Sequence, residues 1–77
     1  MSITKSHKRT FEGLSERIKS ARESKGLNQR QLADKCGMSF EAINRAERDR
    51  NTPHDHTIKL IARVTDTSVD YLKYGKE

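Results

Sequence analysis

Seventy-seven residues with a net charge of +5 and a pI near 9.7 allow one small domain and no more. Leu, Ile, Val and Phe number 14 of 77, so the core is thin, and a chain of this size buries only about 60% of the surface its unfolded form exposes. No apolar run approaches the roughly 20 residues of a membrane span, the basic start MSITKSHKR lacks the apolar stretch of a secretory signal, and a lone Cys36 can form no internal disulfide, which fits a reducing compartment such as the cytoplasm.

Apolar residues recur at helical spacing, and five helices are predicted in chain order. Phe11, Leu14, Ile18 and Ala21 mark one stripe of a first helix over about 11–25, with Thr10 as N-cap, Gly13 inside the first turn and Gly26 as the C-terminal stop. Asn28 opens the second helix, and Gln31 three residues on completes a capping box. Leu32, Ala33 and Cys36 form its inner face, and Gly37 ends it. Ser39 caps a third helix whose inner residues are Ile43, Ala46 and Glu47; Phe40, Glu41, Asn44, Arg45 and Arg48 lie on its other faces. The polar stretch Asp49–Pro53 reads as a loop. A fourth helix spans roughly 55–65, and Ser68 caps a short fifth carrying Val69, Tyr71 and Leu72, closed by Gly75. No strand is predicted. The expected fold is an all-α five-helix bundle, divided into a flexible basic arm (1–10), a domain (11–75) and a tail (76–77).

Charge is the first pointer to a partner. Residues 1–27 carry seven Lys and Arg against three Glu, whereas residues 51–77 balance. Such an excess at one end suits a polyanion, nucleic acid before membrane, or equally a solvated basic surface. Metal and catalytic readings find no footing: His7, His54 and His56 lack the spacing of a zinc site, no phosphate loop or nucleophile motif occurs, and no cofactor or small-molecule ligand is expected. The chain is not expected to be an enzyme.

The stretch 29–48 carries most information. Two short helices meet across a turn of about three residues containing Gly37, where φ > 0 is easy, and small Ala33 lets them cross closely. That is a helix-turn-helix, whose second helix can enter the major groove of DNA.

From N-Q-x-x-L-A-x-K-x-G-M-S at 28–39, Ile43, Glu47-Arg48, Pro53 and S-V-D-Y-L at 68–72, the sequence resembles the phage-repressor, Cro and XRE type of helix-turn-helix regulators over residues 14–75. The resemblance implies a lambda-repressor-like fold and a homodimer on double-stranded operator DNA in the bacterial cytoplasm or nucleoid. It also implies base reading by Phe40, Glu41, Asn44 and Arg45, and phosphate contacts from Asn28, Gln29, Arg50, Asn51 and Thr52; Ser39, at a helix N-terminus where free N–H groups attract phosphate, is expected to join them. An ion pair between Arg22 and Glu47 is implied too, with dimer contacts from Val69, Tyr71 and Tyr74. The chain departs from the pattern at Ala46, where a bulkier residue is usual, at Thr65 and Thr67, and at Asp49 and Asp66, where glycines are common; a thinner core near the C-terminus is expected.

Several roles stay open on sequence grounds. Arg45 either donates to guanine O6 and N7 or pairs with Glu41 one turn back. Glu41 either accepts from cytosine N4 or orients Arg45. Asn44 reads adenine or meets phosphate, directly or through water. Phe40 packs on a thymine methyl or on Met38. The arm, with Lys5, His7, Lys8 and Arg9, is either a phosphate-binding wrap or a solvated tail. At the level of function, a repressor or Cro-like regulator of phage or bacterial origin competes with an antitoxin or restriction-system control protein. From another class, a protein-interaction adaptor predicts an apolar outer face on the third helix.

Overall fold

The computed structural model describes residues 13–48 and 53–76. Five helices follow in order: α1 (Leu14–Ser24), α2 (Gln29–Cys36), α3 (Phe40–Ala46), α4 (Asp55–Thr65) and α5 (Val69–Tyr74), with no strand among the described residues. Each short helix carries its own start signal. Asn28 and Gln31 form the reciprocal capping box, with Gln31 N–H donating to Asn28 Oδ1 at 2.7 Å and Asn28 N–H donating to Gln31 Oε1 at 2.8 Å. Ser39 Oγ accepts from Ala42 N–H, and Ser68 Oγ from Tyr71 N–H. Gly37, at φ +70, closes α2 and starts the turn to α3.

Helix α1 starts later than the apolar stripe predicts. Leu14 is its first residue and Gly13 its N-cap, at φ +81, a left-handed conformation that no helical residue holds. Gly13 is therefore outside the helix and not in its first turn. Thr10 and Phe11, expected as cap and first stripe residue, lie outside the described residues, as does the arm 1–10.

The core gathers Leu14, Ile18 and Ala21 of α1, Leu32, Ala33 and Cys36 of α2, Ile43 and Ala46 of α3, Ile58, Ile61 and Ala62 of α4, and Leu72 of α5. Burying each of the seven fully enclosed Leu and Ile side chains contributes about 1.5–3 kcal/mol relative to exposure. Helix α1 packs on α4 and α5, and α2 on α4, while α3 rests chiefly on α2. That leaves α3 at the margin of the bundle, anchored by Ile43 and Ala46 and open on its other side.

The thin C-terminal core has a polar solution. Thr65 is buried, and its hydroxyl donates to Ile61 carbonyl at 2.7 Å and shares a 3.0 Å hydrogen bond with Thr67 Oγ1. An open cleft of about 440 Å³ lies there, lined by Ala21, Ser24, Thr65, Thr67 and Tyr71 among others. Asp66 caps α4 at φ +60, a glycine-like conformation held by an aspartate.

Two arginines of the basic N-terminal third work inside the molecule. Arg17 donates from Nε to Leu72 carbonyl at 2.9 Å and from Nη2 to Lys73 carbonyl at 2.7 Å, capping the C-terminal end of α5 from α1. Its Nη1 occupies the space beside Gly13 where a β-carbon would stand, 2.5 Å away. Arg22 is the second. Lys73 adds a tie from α5 to α4 through Asp55 at 3.0 Å.

Candidate nucleic-acid interface

Helical spacing gives α3 and the residues that close it two distinct edges. Phe40, Asn44 and Glu47, at i, i+4 and i+7, line the edge toward the first turn of α2. Glu41, Arg45 and Arg48 line the other.

The first edge is tied down. Arg22 donates from Nε to Glu47 Oε2 at 2.7 Å, from Nη2 to Glu47 Oε1 at 3.2 Å and from Nη1 to Leu27 carbonyl at 2.8 Å. Both side chains are withdrawn from water, 10% exposed for Arg22 and 4% for Glu47. Gln29 Nε2 donates to the same Glu47 Oε1 at 3.0 Å, and Gln29 Oε1 accepts from Asn44 Nδ2 at 3.1 Å. Four residues from α1, α2 and the two ends of one edge of α3 thus form a continuous relay, Arg22–Glu47–Gln29–Asn44. With every charge met by an opposite charge or a dipole, the relay fixes the position of α3 without leaving a buried ion alone.

In this arrangement several of the expected DNA-facing side chains have partners within the protein. Gln29, expected at phosphate, and Asn44, expected at a base, hold each other, each retaining an amide hydrogen. Phe40 is partly buried, and the Arg30 guanidinium sits over its ring, 4.9 Å from the centroid. Asn28 and Ser39 use their side-chain oxygens as caps, leaving the Asn28 amide and the Ser39 hydroxyl hydrogen as donors.

The second edge is open. Glu41, Arg45 and Arg48 are exposed, and no ion pair joins Glu41 to Arg45 among the described residues. Two further cations stand here. The sequence places Arg48 on an outer face without a role, though its i+3 spacing from Arg45 is a usable signal. Arg30 is brought to the interface by a tertiary contact ten positions along the chain, which no periodicity reveals. Arg50, Asn51 and Thr52 lie outside the described residues.

Elsewhere, Val69 and Tyr71 are half-buried against the core, and among the described residues Tyr74 is the large hydrophobic residue left outside, at 54% exposure. Cys36 is buried, and burial pushes its thiol pKa up. Among the described residues no cluster of three His, Cys, Asp or Glu could hold a metal, and no helix is long and apolar enough to cross a membrane. His54 and His56 are exposed, and His7 is outside the described residues.

Comparison with known proteins agrees with this geometry. A family model described as helix-turn-helix matches residues 18–72, from one fully buried core residue, Ile18, to another, Leu72. A Bacillus subtilis (strain 168) protein, "Uncharacterized HTH-type transcriptional regulator YqaE", is 36% identical over 62 residues, covering 80% of this chain and 53% of that protein. The chain therefore spans about half the length of the curated relative it matches. With its five helices, its glycine turn between α2 and α3 and a match over most of its length, the chain belongs to the XRE-type helix-turn-helix family.

Proposed function

We propose that this chain is a sequence-specific regulator of transcription that binds double-stranded DNA by laying α3 in the major groove. One observation carries the reading: a charged edge, Glu41, Arg45 and Arg48, is presented to solvent on a helix whose opposite edge is locked by the Arg22–Glu47–Gln29–Asn44 relay. Rigid presentation lowers the ordering cost of recognition, and the fork of arginine matches guanine O6 and N7. Arg45 is the base reader; Glu41 accepts from cytosine N4 or steadies Arg45. Asn28, Gln29 and Ser39, with Arg50, Asn51 and Thr52, supply phosphate contacts, and the arm 1–10 adds more. The printed name of the B. subtilis relative, a transcriptional regulator, supports the same class.

In this reading two protomers pair through α5, with Val69, Tyr71 and Tyr74, and set recognition helices in successive major grooves about 34–36 Å apart on a near-palindromic operator. Occupancy of an operator overlapping a promoter excludes polymerase, as a phage or bacterial repressor or a Cro-like protein of the cytoplasm does. An antitoxin or a restriction-system control protein would use the same surface, and genomic neighbours separate these. The adaptor alternative requires an apolar outer face; the charged open edge argues against it.

The test is selection of bound sites from a randomised duplex pool, then anisotropy titration at rising salt. If each protomer covers about four phosphates, log K falls against log salt with a slope near −7 for the dimer. Arg45→Ala costs about 1–3 kcal/mol and relaxes selectivity at one base pair. Binding indifferent to both salt and Arg45→Ala overturns the proposal.

A further inference from the structure

The contact between Arg30 and Phe40 lies outside the buried core. Phe40 contributes nothing to the buried core, whose α3 members are Ile43 and Ala46, and Arg30 is exposed. Among the described residues no carboxylate pairs with Arg30, so the ring is the partner that orients it. A guanidinium held over a ring still carries N–H donors directed away from it, in a planar fork that lysine lacks.

The pair also lies where α2 meets the outward surface of α3. Arg30 follows Gln29, whose amide is bonded to Asn44, and Phe40 is one turn before Asn44 on the same edge. An arginine in solvent occupies many rotamers, and immobilising one on binding costs conformational entropy. An arginine already lying on a ring has met part of that cost before any ligand arrives.

We infer that Arg30 is a DNA-contacting residue and that Phe40 is its positioning platform, not a reader of thymine. The inference rests on the proposed DNA-binding function and deepens it by assigning a second arginine, delivered from α2, beside Arg45. The guanidinium edge donates to a pair of acceptor oxygens or nitrogens on the duplex, either phosphate oxygens or the O6 and N7 of guanine.

A double-mutant cycle on the full chain tests the assignment, using the best duplex from the randomised pool and a panel of its single-base variants. Arg30→Ala is expected to weaken binding about tenfold. Arg30→Lys, which keeps charge but loses the planar fork, is expected to recover less than half of that loss on a logarithmic scale. Phe40→Leu, which keeps an apolar side chain but removes the π face, weakens binding about two- to tenfold when Arg30 is present and less than twofold when it is alanine. Phe40→Tyr retains near-normal affinity and guards against a folding artefact, as do matched thermal melts. A uniform loss over the panel with a shallower salt slope marks phosphate as the acceptor; a loss confined to one guanine marks the base. Equal effects of Phe40→Leu in both backgrounds, or selectivity lost at one thymine, overturn the platform role. Unchanged affinity of Arg30→Ala while Arg45→Ala impairs binding overturns the inference and leaves the DNA-binding reading standing; absence of any duplex binding removes both.

Discussion

Replacing Glu47 with alanine would strand the Arg22 guanidinium inside the protein. Three hydrogen bonds end on the Glu47 carboxylate, two from Arg22 and one from Gln29; without it Arg22 keeps only the Leu27 carbonyl and a long, 3.9 Å approach to the exposed carboxylate of Glu23. Removing one partner of a buried pair costs about 3–5 kcal/mol, because the surviving charge keeps its desolvation penalty without the attraction that offset it. A chain of this length has a total stability of roughly 4–12 kcal/mol, so the loss consumes a large fraction. In a thermal melt, a loss of ~3 kcal/mol corresponds to a fall in Tm of roughly 12–24 °C. Urea titration followed by circular dichroism measures the free energy directly. The companion variant Arg22→Met with Glu47→Leu removes both charges and is expected to be more stable than Glu47→Ala alone, since nothing is left unpaired. A Glu47→Ala protein destabilised by less than about 1 kcal/mol would mean that water reaches the pair freely, and the relay could not then be what holds α3 in place.

Three further outcomes follow from other contacts. Gly13→Ala puts a methyl group 2.5 Å from Arg17 Nη1 at φ +81, so the guanidinium must shift and its bonds to the Leu72 and Lys73 carbonyls weaken; a loss of about 1.5–3 kcal/mol is expected in urea titration, falling to about 1–2 kcal/mol when Arg17 is already alanine. Asp66→Gly relieves the left-handed aspartate and raises stability by roughly 0.5–1 kcal/mol in the same assay, since the exposed Lys25–Asp66 pair at 3.9 Å contributes little. Alkaline pH weakens the fold for two reasons of the same sign. The unfolded chain gives up the Cys36 proton at lower pH than the folded one, and stability declines once pH passes the ordinary thiol value of 9.0. The hydrogen bond to Asp55 raises the Lys73 pKa, so that pair acts fully below 10.5 and disappears as pH rises beyond the folded value. A pH series of melts that holds steady from 7 to 8.5 and falls above 9 fits both, and a thiol reagent at neutral pH should label Cys36 only as fast as the protein opens.

The helices around the turn were legible because their signals are local. Asn28 with Gln31, Ser39 and Ser68 announce helix starts through hydrogen bonds spanning three residues, and Gly37 marks the stop. Gly13 misled because its role is set from a distance: the space a β-carbon would need is filled by Arg17, whose own place depends on carbonyls 55 and 56 positions away. The same limit applies at the interface. Residue type and helical face identified Arg45 and Glu41 as outward, but Gln29, Asn44 and Glu47 only become a relay once α2 and α3 cross, and the charge count could not reveal that Arg17 and Arg22 are committed internally.

Arg17 has one more implication, for protein engineering. Its Nη1 lies 2.5 Å from where a β-carbon on Gly13 would be and 3.5 Å from that position on Gly75, so the two backbones converge on a single atom. A peptide bridge of a few residues joining Gly13 directly to Gly75 should close the bundle with little disturbance, which makes these two glycines suitable joining points for a circular permutant. A module joined directly at Gly13 or at Gly75 would leave from one shared pole, beside α1 and α5, while α3 rests chiefly on α2.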